Sequence, residues 1–158
     1  MTPFTFDAPA GWQSRPAAGM RKVDFLVAAG GKTAVMTAID FPASAGPMMA
    51  DPTANLNRWR REIGLPELSP EEATKAMQPL EIDGGAATFM AVMPDADQSA
   101  ESQVEQGTLA AMLRRGDTIW FFKLIGDLPV VTTQRDNFES FLKSVRFTGD
   151  GGTNDGDE

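Results

Sequence analysis

The sequence predicts an α+β domain: an antiparallel sheet of about six or seven strands with helices laid on both faces, an α/β/α sandwich. Three observations carry this. Stretches with strand alternation are joined by Gly-Gly or Gly-Asp pairs, the signature of tight hairpins. Two stretches after the first hairpin begin with helix-capping residues, and one near the end shows helical spacing of its apolar residues. The segment Ile119-Trp120-Phe121-Phe122-Lys123-Leu124-Ile125 is apolar on both faces, so it needs cover on each side and a central place in the sheet.

In chain order, Thr5 and Phe6 start a short strand that stops at Pro9, and Gly11 turns the chain into Trp12. A strand over about Met20 to Val27 and a partner over Thr33 to Phe41 flank Gly30-Gly31, which supply the positive φ angles of a two-residue hairpin. Residues 42–50 read as a loop. The first helix has Asp51 at the N-cap, Pro52 at the first helical position and Gly64 just past its end. Leu56, Trp59 and Ile63 fall within about 60° on its apolar face. Ser69 and Glu72 form a capping box for a second helix, expected to run to Gln78 because Pro79 disfavours helix in the residue before it. Strands over Leu80 to Asp83 and Ala87 to Met93 flank Gly84-Gly85, and strands over Thr108 to Arg114 and Thr118 to Ile125 flank Gly116-Asp117. Residues 95–106 are polar and read as a loop. One last helix is expected from Pro129 to Ser144, with Val131, Phe138, Phe141, Leu142 and Val145 on one face, followed by a closing strand at Val145 to Phe147.

The 158 residues (17.0 kDa) suit one domain over residues 1–147 and an acidic tail over 148–158. The tail carries Asp150, Asp155, Asp157 and Glu158 with no base, and its Gly/Asp composition predicts disorder. Of the net charge of −8, half resides there. An acidic body repels phosphate backbones, so nucleic-acid binding is not expected. No apolar run is long enough to span a bilayer, and no signal peptide is visible at Met1 to Trp12. The expectation is a soluble chain, placed in the cell envelope or periplasm if an export signal has been trimmed and in the cytoplasm otherwise. His, Cys and Tyr are all absent. This removes Ser-His-Asp and Cys-His nucleophiles and thiolate or imidazole metal sites, leaving carboxylates, Lys, Arg and hydroxyls for any catalysis. Neither metal nor cofactor is expected.

The chain resembles the PsbP-like family. The resemblance rests on Phe6-Asp7-Ala8-Pro9-Ala10-Gly11-Trp12, on Asn55-Leu56-Asn57-Arg58-Trp59-Arg60, on Trp120-Phe121-Phe122-Lys123-Leu124-Ile125-Gly126-Asp127, and on the closing run from Phe138 to Phe147. It covers nearly all of residues 3–147 and implies the antiparallel α+β fold that the family shares with a Ran-binding nuclear-import factor and with bacterial envelope lipoproteins. It also implies action by binding partners instead of catalysis. The chain departs from the plant members in lacking their long N-terminal extension and their His residues.

The candidate contact surface lies on the first helix. Asn57, Arg58 and Arg61 project opposite Leu56 and Trp59, and two guanidinium forks three residues apart suit a carboxylate or phosphate. The competing reading is a solvated face with Arg58 paired to Glu62. Met48 and Met49 offer an adaptable apolar contact in the preceding loop. The expected function is therefore a non-catalytic binding or scaffolding domain for a protein or small-ligand partner. The alternative is a carboxylate-dependent hydrolase or isomerase, which requires a deep pocket holding two acids.

Overall fold

The computed structural model describes residues 4–17, 19, 21–45, 51–94 and 105–148. Its centre is a seven-stranded antiparallel sheet in the order β2-β3-β4-β8-β7-β6-β5. The strands are β2 (Trp12–Ser14), β3 (Arg21–Ala29), β4 (Lys32–Pro42), β5 (Met77–Ile82), β6 (Gly85–Val92), β7 (Gln106–Arg115) and β8 (Thr118–Asp127). A second, two-stranded sheet pairs β1 (Phe4–Thr5) with β9 (Arg146–Phe147). The apolar strand β8 is central as expected, hydrogen-bonded to β4 on one side and β7 on the other.

Each face of the sheet buries its own core. On one face, α1 (Pro52–Glu62) and α2 (Pro70–Lys75) pack Leu56, Trp59, Ile63 and Ala73 against Met90, Ala110, Met112 and Phe121. On the other face, α3 (Leu128–Thr133) and α4 (Arg135–Ser144) pack Val131, Phe138, Phe141 and Leu142, all fully buried, against Val23, Phe25, Phe89 and Phe122. The β1–β9 pair closes this second layer. Phe4 is 2% exposed and meets the rings of Phe6, Trp120, Phe122 and Phe147 edge-on, at centroid distances of 5.6 to 5.9 Å. Both ends of the folded chain are thus locked into one aromatic cluster.

Two helix boundaries differ from expectation. The second helix stops at Lys75, and Met77 and Gln78 already belong to β5, with Pro79 inside the strand. Proline is tolerated there because β5 is an edge strand with one unpaired side. The last helix is two helices broken at Gln134, whose backbone (φ −99°, ψ 4°) leaves the helical region. Val130 to Thr133 is a run of four β-branched residues, which weakens helix. The side-chain carbonyl of Gln134 accepts the Trp12 indole N–H at 2.8 Å and holds the break against β2.

Close approach of the two central strands requires Gly126. A Cβ there would lie 2.3 Å from the Cα of Ala34, its partner on β4.

Candidate functional site

Helix α1 is set by its cap: the Asp51 carboxylate accepts the Thr53 N–H at 3.1 Å, and Pro52 occupies the first turn. Leu56 and Trp59 then face the sheet and are almost fully buried. The polar residues around them have separate fates. Asn57, expected to offer its donors to a partner, is only 8% exposed. Its amide N–H donates to the Leu68 carbonyl at 3.0 Å, and its carbonyl accepts the Leu68 N–H at 2.8 Å. Asn57 therefore clamps the α1–α2 connection. Arg60 is buried, and its Nε donates to the Pro66 carbonyl at 2.6 Å on the same connection. Arg61 is exposed and ion-paired to Glu67. Met48 and Met49 lie outside the described residues.

Arg58 is left at the surface. Its guanidinium carbon sits 5.5 Å from the Trp59 ring centre and 6.0 Å from that of Phe121, within cation–π range of both. Among the described residues no carboxylate comes within ion-pair distance of it. The expected partner, Glu62, is taken by Lys123 of β8 at 2.7 Å.

Arg58 overhangs a cleft of about 230 Å³ between α1 and the sheet. Thr37 and Ile39 of β4 and Phe121 and Lys123 of β8 form the floor, Trp59 and Glu62 the helix side, and Arg21 of β3 the far side. The cleft exists because β3 contributes no buried apolar residue to the core under α1, so that half of the face is only partly covered. Leu26, Val35, Ile39 and Ile125 on it are half-buried. Arg21 is steadied by Asp24, which is 4% exposed and also receives Arg15, at 2.9 and 2.8 Å. The cleft thus combines three cations, two aromatic rings and one carboxylate that is itself paired. Such a set suits an anionic group: a planar guanidinium gives two parallel donors, and the rings, each 2% exposed, hold it in place from below. Periodicity had placed Arg58 on the surface, but Arg21 and Lys123 lie 37 and 65 positions away along the chain, and only strand register brings them to it.

Elsewhere, two open hollows adjoin at the opposite margin of the sheet, sharing Asp83 and Gly84. Arg115-Gly116-Asp117 is there as the expected β7–β8 turn, with Gly116 at φ 58°. Among the described residues, no group of three or more carboxylates is placed to hold a metal ion.

No family model matches the sequence, and no curated protein matches it. Solved structures do share the fold. LpqN, involved in cell envelope biogenesis of Mycobacterium tuberculosis, superposes with a TM-score of 0.54 at 11% identity, over 92% of this chain and 83% of its own. Cyanobacterial PsbP (CyanoP) from Synechocystis sp. PCC 6803 gives 0.52 at 14% identity, over 92% and 86%. A protein from Bacteroides thetaiotaomicron gives 0.51 at 8% identity over 94% of this chain, which spans about half (46%) of that protein's length. The chain has the PsbP-like fold that its sequence resembles, and these likenesses concern the fold.

Proposed function

We propose that this chain is a non-catalytic binding domain of a bacterial cell envelope, and that the cleft beside α1 receives an anionic group of a protein or small-molecule partner. The observation that supports this reading best is Arg58, an exposed guanidinium set over Trp59 and Phe121 with Arg21 and Lys123 across the same cleft. Arg58 makes the direct contact. Arg61, one turn further on and already paired to Glu67, borders the surface, and Asn57 holds the α1–α2 connection outside the cleft. The envelope placement draws on LpqN, which shares the fold. Among the described residues no helix is long and apolar enough to cross a membrane.

Affinity capture from bacterial envelope extract, with the wild-type chain and with Arg58→Ala, tests the reading. A charge-assisted contact is worth about 1.5–3 kcal/mol, so a genuine partner's affinity falls about 10- to 150-fold in Arg58→Ala. If every captured partner binds the Arg58→Ala, Arg61→Ala double variant as tightly as the wild type, the surface is the wrong one.

A further inference from the structure

The basic residues of the described chain are unevenly neutralised. Around α1 and β3, Arg15, Arg21, Lys22, Arg61 and Lys123 each have a carboxylate within ion-pair distance, and Arg58 is the exposed exception. At the margin of the sheet formed by the β5–β6 and β7–β8 turns, Arg114, Arg115 and Lys143 have none among the described residues. The fourth cation there, Arg146, reaches Asp83 only at 4.0 Å. The three arginine side chains are nevertheless held in place. Arg114 Nε donates to the Gly116 carbonyl at 3.0 Å, and Arg115 lies over the Phe147 ring at 4.0 Å. Arg146 donates to the carbonyls of Lys143 and Val145 at 3.0 and 2.7 Å. These cations line two adjoining open hollows of about 620 and 670 Å³. The acids facing the same space are Glu81, Asp83 and Asp117, and Asp83 already accepts the Phe147 N–H at 2.9 Å.

The chain leaves β9 at this place. Phe147 lies under Arg115, and Thr148 is followed by residues 149–158, which hold Asp150, Asp155, Asp157 and Glu158 and no base. We propose that this acidic segment is the occupant of the basic hollows, an intramolecular ligand for Arg114, Arg115, Lys143 and Arg146. Reach is sufficient. Asp150 lies at most about 7 Å of chain beyond Thr148, and the whole segment spans up to about 35 Å. The margin from β8 to β5 covers three inter-strand spacings, about 14 Å. Tethering sets an effective concentration in the millimolar range, so weak exposed ion pairs suffice to populate the contact. The inference is independent of the cleft beside α1.

The chain has no cysteine, so Thr153→Cys offers a single spin-label site that keeps all four tail carboxylates. In ¹⁵N spectra the label is expected to broaden the amides of Gly84, Gly116 and Asp117 at least about twofold more than that of Gly31, in the β3–β4 turn at the opposite margin. Raising NaCl to about 1 M, where the Debye length is about 3 Å, abolishes the difference. The exposed pair Arg114→Glu, Lys143→Glu abolishes it as well. Equal broadening at both margins overturns the proposal, as does broadening that survives the charge reversal. Broadening seen when the label sits only on ¹⁴N copies mixed with unlabelled ¹⁵N chain assigns the contact to a second copy and overturns it too.

Discussion

Replacing Asn57 with alanine separates a fold-holding role from a partner-binding one. The Asn57 amide makes two reciprocal hydrogen bonds with the Leu68 backbone, at 2.8 and 3.0 Å, and Leu68 is half-buried. A neutral hydrogen bond contributes about 0.5–1.5 kcal/mol net, so two together give about 1–3 kcal/mol. Water reaches part of Leu68, which favours the middle of that range, about 2 kcal/mol. For a chain of this size 1 kcal/mol corresponds to about 2–4 °C, so the melting temperature is expected to fall by about 4–8 °C. Thermal and urea unfolding followed by tryptophan fluorescence measure the two quantities, since Trp59 lies two residues away in the same helix. Asn57→Asp sharpens the result: its carboxylate still accepts the Leu68 N–H but opposes the Leu68 carbonyl, so it should lose stability comparable to Asn57→Ala. Partner capture by the folded fraction stays unchanged in both. A loss of stability below about 0.5 kcal/mol, the size of an ordinary surface change, refutes the clamp. So does lost capture at unchanged stability.

Gly126→Ala forces a methyl against the β4 backbone at the centre of the sheet, and overpacking costs about 1–3 kcal/mol or more; thermal unfolding should show the upper end or failure to fold, and a neutral effect would contradict the close approach. Phe4→Ala removes the ring that joins β1 to Trp120, Phe122 and Phe147, and is expected to cost about 3–5 kcal/mol by urea unfolding. Arg15→Met with Arg21→Met leaves the Asp24 carboxylate, 4% exposed, without either guanidinium, and should destabilise by about 3 kcal/mol or more, well beyond either single change. A double-mutant sum equal to two small surface effects would show that Asp24 is solvated.

Local signals in the sequence were enough for most of the elements. Gly30-Gly31 specify a hairpin because both turn positions need positive φ, and they are found at φ 59° and 80°. Asp51 and the Ser69–Glu72 box mark helix starts because short side chains there satisfy otherwise unpaired N–H groups. The double-sided apolar run in β8 fixes its central place, since either face left bare would expose it. Helix ends were harder to read. The break at Gln134 depends on Trp12, 122 residues away, and the early end of α2 depends on β5 having a partner only in β6.

For the candidate site the division is sharper. Periodicity placed Asn57, Arg58 and Arg61 away from the Leu56–Trp59 stripe, because an α-helix advances 100° per residue whatever surrounds it. Which of the three remains available was decided by what each side chain meets. Asn57 meets the Leu68 backbone and Arg61 meets Glu67, while Arg58 meets two aromatic rings and no acid among the described residues. The company of Arg58 in Arg21 and Lys123, and that of Arg114 and Arg115 in Lys143 and Arg146, arise from strand register and layer packing. By itself the sequence determined the repertoire of chemistry, through the absence of His, Cys and Tyr, and the local conformations, through caps and turns a few residues long. Charge neighbourhoods were left to the tertiary structure, because Coulomb pairing acts over a few ångströms of space and is indifferent to distance along the chain.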